Sequence, residues 1–256
     1  MNAIAIIPAR MGSSRFPGKP LALIHGIPMI GHCYMRTILC ADLLDTYVAT
    51  CDKEIYEYIL SIGGKAVMTD VHHERASDRT AEAMIKIEKM IGKKIDIIVM
   101  IQGDEPMVTP TMISKSLKPF KTDKSVNVVN LMANIDTIEE FEDPNEVKVV
   151  VDNLNNAMYF SREPIPSRKK GASSISMLKQ VCIIPFKREY LIKFNNTEET
   201  ITEIIESVDM MRILENGEKI RMVMTSEASY SVDTLEDLIR VEKIMVNDEL
   251  MMSYIN

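Results

Sequence analysis

Three cations lie along one short loop near the N-terminus, in the stretch PARMGSSRFPGKP. Arg10, Arg15 and Lys19 repel one another unless something negative lies between them. The same stretch offers flexible backbone and small side chains at Gly12, Ser13, Ser14 and Gly18. Such a loop suits a triphosphate, which backbone N–H groups can wrap and cations can neutralise. An ordinary solvated loop with scattered charge explains the composition equally well, and neither GxxxxGK[ST] nor GxGxxG is present.

A second polar turn, QGDEP, follows the apolar run DIIVMI and contains Asp104. A carboxylate at a strand end that faces a cationic loop could hold Mg²⁺, which takes hard oxygen ligands and shares them with phosphates. SVDTLEDL offers a second carboxylate, Asp233, at the end of another apparent strand. Each has a simpler alternative, because QGDEP could be a plain turn and Asp233 or Thr234 could be only the N-cap of the last helix.

A stiffened arginine stands in FSREPIP, where Arg162 lies close to two prolines. A guanidinium held in this way could clamp a carboxylate through two hydrogen bonds. The alternative is a surface ion pair with the adjacent Glu163. The sequence contains no GxSxG, no HExxH and no Cys/His pairing typical of a nucleophile.

The elements that must position these residues alternate through the first 105 residues. Apolar runs at 2–7, 45–51, 65–69 and 96–101 predict strands. Helical patterns follow them, one beginning near Pro28, one in DKEIYEYILSI and one in SDRTAEAMIKIEKMI, with Ser77 or Asp78 as its N-cap. This order predicts βαβ units and a parallel, doubly wound α/β sheet, in which ligands bind beyond the carboxyl ends of the strands.

The second half reads differently. NVVNLMANI, EVKVVVD, AMYFSREPI, KQVCIIPF and IRMVMT are typical of strands, and a long helix is predicted in VDTLEDLIRVEKIMVNDELM. We therefore expect one domain over 1–256, with an α/β core over 1–125, inserted mixed strands over 126–200, and a return to the core over 201–256. SRKKGASSIS, at 167–176, is the best candidate for a mobile loop, and we expect it to become ordered only with ligand.

Bulk composition excludes several classes of protein. The 256-residue chain has a formal net charge of −7, which argues against a general nucleic-acid-binding surface. No apolar run is long enough for a membrane span and no signal peptide is apparent. Four cysteines without disulfide or zinc spacing indicate reduced, buried residues, and hence a cytoplasmic protein.

Six blocks in order resemble the CMP-Kdo synthetases, the 3-deoxy-manno-octulosonate cytidylyltransferases. They cover nearly the whole chain and are PARMGSSRFPGKPL, SDRTAEA, IQGDEP, EVKVVVD with AMYFSREPIP, ILENGEKI and VDTLEDLIRV. The resemblance implies a nucleotide-diphosphosugar-transferase-like fold whose inserted mixed strands form a homodimer lobe. It also implies Mg²⁺ as cofactor and, as reaction, the attack of a sugar-acid hydroxyl on the α-phosphorus of CTP, a step in lipopolysaccharide biosynthesis.

The resemblance also assigns roles by position. Arg10, Lys19 and Asp104 would be catalytic, and Asp104 and Asp233 would be the metal ligands. The nucleotide would contact Pro8, Ala9, Arg10, Gly12, Ser13, Ser14, Arg15, Lys19, Asp78, Arg79 and Gln102. The sugar acid would face Arg162, Gln180, Ile184, Asp209 and Met210. This chemistry needs positioning and charge neutralisation rather than a protein nucleophile.

Departures from the family concentrate in the sugar-facing blocks. QVCIIPFK stands where the family shows HIGIYAYR, so Gln180 replaces a histidine and Ile184 a tyrosine. VDMMR stands for LEQLR, which puts Asp209 and Met210 in place of Glu and Gln. The acceptor is therefore Kdo or a related compound such as an amino-Kdo, another sugar acid or a phosphonate. A non-catalytic nucleotide-binding relative is a further alternative, against which the retained charged residues count.

Overall fold

A computed structural model of the protein describes residues 1–13, 15–169 and 176–255. The elements up to the middle of the chain are β1 (Ala3–Ala9), a 3-10 helix (Lys19–Leu21), β2 (Leu23–Ile24), β3 (Ile27–Pro28), α1 (Met29–Ile38), β4 (Asp45–Thr50), α2 (Lys53–Ser61), β5 (Ala66–Met68), α3 (Ala76–Ile91), β6 (Ile97–Ile101) and α4 (Pro110–Thr122). Those that follow are β7 (Val129–Asn134), α5 (Ile138–Glu142), β8 (Lys148–Val151), β9 (Ala157–Ser161), β10 (Leu178–Val181), β11 (Ile183–Lys187), α6 (Arg188–Asn195), α7 (Ile201–Glu206), α8 (Met211–Glu215), β12 (Arg221–Met224), α9 (Leu235–Met245) and α10 (Glu249–Met252).

The chain forms two compact units. The first comprises Met1–Ser114 with Ser229–Asn256, and the second comprises Lys115–Ala228. These bounds differ from the three predicted segments 1–125, 126–200 and 201–256. The predicted mobile loop at 167–176 lies mostly outside the described residues, since 170–175 are not among them.

The first unit contains the predicted parallel sheet. Its strands lie in the order β6-β1-β4-β5, and each neighbouring pair is parallel. Every residue of β1 and β6 is buried, as expected for central strands covered on both faces. Helices α1, α2 and α3 contact these strands. Because all four strands run the same way, the segments that follow β1 and β6 emerge at one edge of the sheet.

Two helix boundaries differ from the sequence prediction. Helix α3 begins at Ala76 with Arg75 at the N-cap, so the expectation that Ser77 or Asp78 caps it was wrong. Both residues lie in the first turn instead, where an acidic side chain such as Asp78 favours the helix dipole. The long C-terminal helix is divided into α9 and α10, and Asp248 caps α10 by accepting a hydrogen bond from the Met251 backbone.

The second unit contains the mixed strands. Its sheet has the order β12-β7-β10-β8-β9, in which β12 is parallel to β7 and the remaining pairs are antiparallel. KQVCIIPF forms two strands, β10 and β11, rather than one. Strand β9 ends this order, with Met158 and Tyr159 exposed.

The C-terminal segment returns to the first unit through an apolar cluster. Its buried members are Ile24, Met29, Met107, Val232, Leu238, Val241, Met245 and Met251. Helix α9 thereby packs on the β2–β3 hairpin, whose turn residues His25 and Gly26 both have positive φ. The burial of Val232 fixes the position of the next residue, Asp233.

The sequence predicted that no segment spans a membrane and that all four cysteines are buried. No helix among the described residues is long and apolar enough to cross a membrane. None of the four cysteines forms a disulfide, but only Cys33 and Cys40 are buried, whereas Cys51 and Cys182 are half-buried. The expectation that all four are buried was therefore wrong, because Cys51 and Cys182 lie at or just beyond strand ends.

Candidate active site

The cationic loop after β1 is held by its own backbone and by the end of β4. The N–H groups of Ser13 and Gly18 both donate to the carbonyl of Met11. The Met11 N–H donates to Oδ2 of Asp52, at 2.7 Å, immediately beyond β4. Gly18 has φ 75° and precedes the short 3-10 helix, which begins at Lys19. A residue that tolerates the left-handed region is needed there to turn the chain into that helix.

The turn after β6 brings Asp104 close to β1. A Cβ on Gly103 would lie 2.9 Å from the carbonyl oxygen of Pro8, closer than real Cβ contacts. Only glycine lets the turn approach the strand this closely. The carbonyl of Asp104 accepts a hydrogen bond from the backbone of Val232, at 2.9 Å, so Asp233 is delivered beside the turn.

The position of Asp233 is fixed by the cap of helix α9. Thr234 is the N-cap, and its hydroxyl accepts a hydrogen bond from the Asp237 N–H, while Asp237 Oδ2 accepts from the backbone of Thr234. The same oxygen accepts from the Asp233 N–H, at 3.0 Å. Thr234 therefore caps the helix, and the Asp233 carboxylate is left to face the cationic loop.

Lys19 joins the two carboxylates. Its Nζ lies 2.9 Å from Oδ2 of Asp104 and 3.1 Å from Oδ1 of Asp233, and the same Asp233 oxygen lies 2.9 Å from the Arg15 guanidinium. Burial by itself lowers the pKa of the Lys19 ammonium, but the two carboxylates outweigh it and raise the pKa above its usual value. Lys19 therefore keeps its positive charge.

A pocket of about 310 Å³ opens around this group in the first unit. Its lining is Pro8, Ala9, Arg10, Gly12, Ser13, Arg15, Lys19, Pro20, Glu74, Arg75, Ala76, Arg79, Gln102, Gly103, Asp104 and Asp233. The structure thus brings the loop after β1, the turn after β6 and the residue before α9 to one cavity. Of the residues predicted to contact nucleotide, Ser14 lies outside the described residues and Asp78 is absent from this lining.

Arg79 lines the pocket but its guanidinium is engaged with the loop before α3. It donates to the Thr69 hydroxyl and to the carbonyls of Asp70, at 3.3 Å, and His73, at 3.1 Å. The side chain is buried, at 2% exposure. Arg79 therefore holds residues 70–73, and with them the segment that leads into the pocket wall.

The donor set fits a magnesium ion that shares its ligands with phosphate. Oδ1 of Asp104 is buried and has no hydrogen-bond partner. This is energetically costly for a carboxylate oxygen unless a ligand binds to it. Across residues 1–13, 15–169 and 176–255, no group of three or more His, Cys, Asp or Glu side chains could enclose a metal. One or two carboxylates are enough for Mg²⁺ where substrate phosphates and water supply the other ligands.

Arg162, predicted to face the sugar carboxylate, belongs to the second unit. Its guanidinium donates to three backbone carbonyls, those of Glu206, Pro144 and Ser207, at 2.8, 2.8 and 3.3 Å. The backbone N–H of Arg162 donates to the Glu206 carboxylate. The sequence also allowed an ion pair between Arg162 and Glu163. The guanidinium instead binds backbone carbonyls and so connects residue 144 with residues 206 and 207.

The other four predicted sugar-facing residues also belong to the second unit. Ile184 and Met210 are fully buried. The Gln180 amide donates to Oδ1 of Asn130, at 2.6 Å, and Asp209 is half-buried. Their role in acceptor recognition stays a prediction.

The comparison with known proteins identifies the family. A family model described as Cytidylyltransferase matches residues 4–220. The chain belongs to the cytidylyltransferase family. It is 39% identical to the 3-deoxy-manno-octulosonate cytidylyltransferase of Trichlorobacter lovleyi, over 96% of this chain and 99% of the relative. It is 40% identical to that of Syntrophus aciditrophicus, over 95% and 97%. The resemblance to the CMP-Kdo synthetases is confirmed.

Solved structures agree with this cytidylyltransferase fold. A CMP:2-keto-3-deoxy-manno-octonic acid synthetase complexed with CTP superposes with a TM-score of 0.87 at 37% identity, covering 96% of this chain and 98% of the other. A glucose-1-phosphate thymidylyltransferase from Bacillus anthracis has a TM-score of 0.63 at 17% identity, covering 95% and 94%, which shows the fold alone. The predicted α/β fold with a largely parallel sheet is confirmed.

Sequence reasoning about this cytidylyltransferase missed one wall of the pocket. Glu74, Arg75 and Ala76 line it at the start of α3. The signal was the charged run HERASDR, where Arg75 lies only three residues before Asp78. Asp52 was missed for another reason, since its contact with Met11 joins residues 41 positions apart.

Proposed function

We propose that this cytidylyltransferase transfers CMP from CTP to the anomeric hydroxyl of Kdo or a closely related sugar acid. The sugar oxygen forms a bond to the α-phosphorus, the bond from that phosphorus to the bridging oxygen of pyrophosphate breaks, and the hydroxyl proton is released. The observation that carries the proposal is the convergence of Arg10, Arg15 and Lys19 with Asp104 and Asp233 on one pocket. The 37%-identical synthetase bound to CTP supports it.

The residues of the pocket would act by charge and position. Arg10, Arg15 and Lys19 would neutralise the triphosphate and the departing pyrophosphate, where negative charge accumulates. Gln102, at the strand end beside Gly103, would contact the nucleotide. Arg10, Lys19 and Asp104 remain the residues to which we assign catalysis. No protein nucleophile is needed for direct attack by the sugar hydroxyl.

We include magnesium dependence in the proposal. Asp104 and Asp233 would hold the ion, and the unpartnered Oδ1 of Asp104 supports this. Magnesium would supply charge stabilisation at the phosphate oxygens. Two carboxylates alone leave room for phosphate ligands from CTP, in keeping with the coordination that Mg²⁺ prefers.

The test is pyrophosphate release from CTP and Mg²⁺ with a panel of sugar acids that includes Kdo. We expect release with Kdo or a close relative, and release with a different acid alone would assign Gln180, Ile184, Asp209 and Met210 to a changed acceptor pocket. Asp104→Asn should abolish turnover. Its matched control is Asp96→Asn, which alters an exposed carboxylate beside the opposite, N-terminal end of β6. Nucleotide binding without turnover for any acceptor would favour a non-catalytic relative.

We also propose a homodimer formed through the second unit. Edge strand β9 exposes Met158 and Tyr159, and α7 exposes Ile201, Ile204 and Ile205. The Tyr159 hydroxyl donates to Glu206 at the end of α7, so the two apolar surfaces adjoin. Contiguous apolar surface beside a sheet edge is typical of an interface. Light scattering on Ile205→Lys should show a monomer where the wild type is a dimer, with Val71→Lys, an exposed valine of the first unit, as control.

A cytoplasmic location completes the proposal and rests on the cysteine pattern of the sequence. The product would serve lipopolysaccharide biosynthesis. Fractionation of cells that produce the protein tests the location, because activity in the membrane or periplasmic fraction would contradict it.

A further inference from the structure

The ammonium of Lys19 lies between the two carboxylates that we propose as metal ligands. Its Nζ contacts one oxygen of Asp104 and one of Asp233 at hydrogen-bond distance. The side chain is only 12% exposed, so water screens these contacts weakly. Asp104 and Asp233 therefore already have a cation between them.

The local charges balance without any metal. Asp104 and Asp233 contribute two negative charges, and Lys19 and Arg15 contribute two positive ones at 2.9 to 3.1 Å. A divalent cation that entered this group would face the ammonium at close range, and repulsion between charges a few ångströms apart in a partly buried site is strong. Binding of a metal alone is opposed for that reason.

A triphosphate changes this balance because it brings acceptors for the ammonium. Lys19 begins the 3-10 helix at the end of the cationic loop, and the pocket around it is also lined by Gly12, Ser13 and Arg10. Phosphate oxygens in this pocket would offer the ammonium new partners and add negative charge that offsets the metal. The lysine side chain has the rotatable bonds needed for such a movement.

We infer that Lys19 is an internal counter-ion that occupies the metal position of the nucleotide-free protein and yields it only when a triphosphate takes over its charge. This rests on the proposed function, in that it takes Asp104 and Asp233 as metal ligands. Metal and nucleotide are then coupled through one side chain. Removing the charge of Lys19 strengthens metal binding to the nucleotide-free protein while it weakens the grip on CTP.

The experiment measures Mn²⁺ binding to the nucleotide-free protein by electron paramagnetic resonance of the free ion. We expect weak binding to the wild type and binding at least about tenfold tighter to Lys19→Met, since one close positive charge is removed. Lys19→Gln should behave likewise, and Lys19→Arg should resemble the wild type because it keeps the charge. Lys53→Met, which removes an exposed lysine from α2, is the matched control and should leave Mn²⁺ binding unchanged.

A second substitution locates the ion. Adding Asp104→Asn to Lys19→Met should abolish the gained Mn²⁺ affinity. Equal or weaker Mn²⁺ binding by both Lys19→Met and Lys19→Gln overturns the inference, as does a gain that survives the loss of Asp104. The proposed function is judged separately, by pyrophosphate release from the wild type with CTP, Mg²⁺ and a sugar acid, so either idea can fail while the other stands.

Discussion

The hydroxyl of Ser229 donates to Oε2 of Glu105 at 2.8 Å, and both residues are buried. This contact joins the turn after β6 to the segment that leads to α9, across 124 positions of sequence. Together with the hydrogen bond from Val232 to the Asp104 carbonyl, it fixes the spacing of Asp104 and Asp233. The backbone at the two candidate metal ligands is therefore positioned by contacts outside their carboxylates, in addition to the ion pairs that both carboxylates form with Lys19.

Ser229→Ala should weaken that connection. Glu105 loses a hydrogen-bond donor in a buried position, so we expect the free energy of unfolding to fall by about 1–3 kcal/mol. The Mg²⁺ concentration for half-maximal activity should rise as the carboxylate spacing relaxes. Denaturant unfolding and a Mg²⁺ titration measure the two effects. Ser61→Ala removes an exposed hydroxyl that bonds only a local carbonyl and is the control.

Gly103→Ala should disturb the turn that carries Asp104. The added Cβ would meet the Pro8 carbonyl oxygen at 2.9 Å, and because this is backbone, the strand or the turn must shift. We expect a loss of about 1–3 kcal/mol in stability together with a large fall in kcat. Gly12→Ala, where an added Cβ meets nothing within 4 Å, is the control for stability. Equal stability of the two variants would contradict the steric argument.

Asp52→Ala should loosen the cationic loop without unfolding the protein. Its carboxylate accepts the Met11 N–H at 2.7 Å, and hydrogen bonds to charged groups contribute about 1.5–3 kcal/mol. We expect a higher KM for CTP because the loop is no longer held in its binding conformation. Asp96→Ala removes a carboxylate that accepts the Asn2 N–H at the same distance, away from the pocket, and its KM should match the wild type.

Asp248→Asn should reveal the pH dependence of the C-terminal helix. Burial by itself raises the pKa of Asp248, but hydrogen bonds from Arg36 lower it below its usual value overall. A carboxyl with a lowered folded-state pKa stabilises the fold above its unfolded pKa, about 3.9, and loses that effect as the pH falls through the folded value.

The stability difference between wild type and Asp248→Asn should therefore be about 1–2 kcal/mol at pH 7 and shrink below about pH 4. Unfolding curves across that range measure it. A difference that stays constant down to pH 2 would mean that the Arg36 contact does not depend on the charge of Asp248. Asp136→Asn, an exposed carboxylate, is the control for general acid effects.

The alternation of strands and helices in the first unit and the residue types of the site were predictable from the amino-acid sequence. Strands such as β1 and β6 were predictable because their burial on both faces requires unbroken apolar runs. The carboxyl ends of parallel strands lie at one edge of the sheet, so the sequence predicted that Arg10 and Asp104 lie close together. The start of α3 was missed because Arg75 holds the N-cap without a side-chain hydrogen bond, so Ser77 and Asp78 resembled caps.

Which charged groups pair with one another depends on the tertiary fold. Lys19 contacts Asp104 and Asp233 from 85 and 214 positions away, and no local pattern encodes such distances. The same holds for Arg162, whose guanidinium binds the carbonyls of Glu206 and Ser207. The periodicity of apolar residues indicates which face of a helix or strand is buried. The pairing of polar groups depends instead on how segments distant in sequence pack against one another.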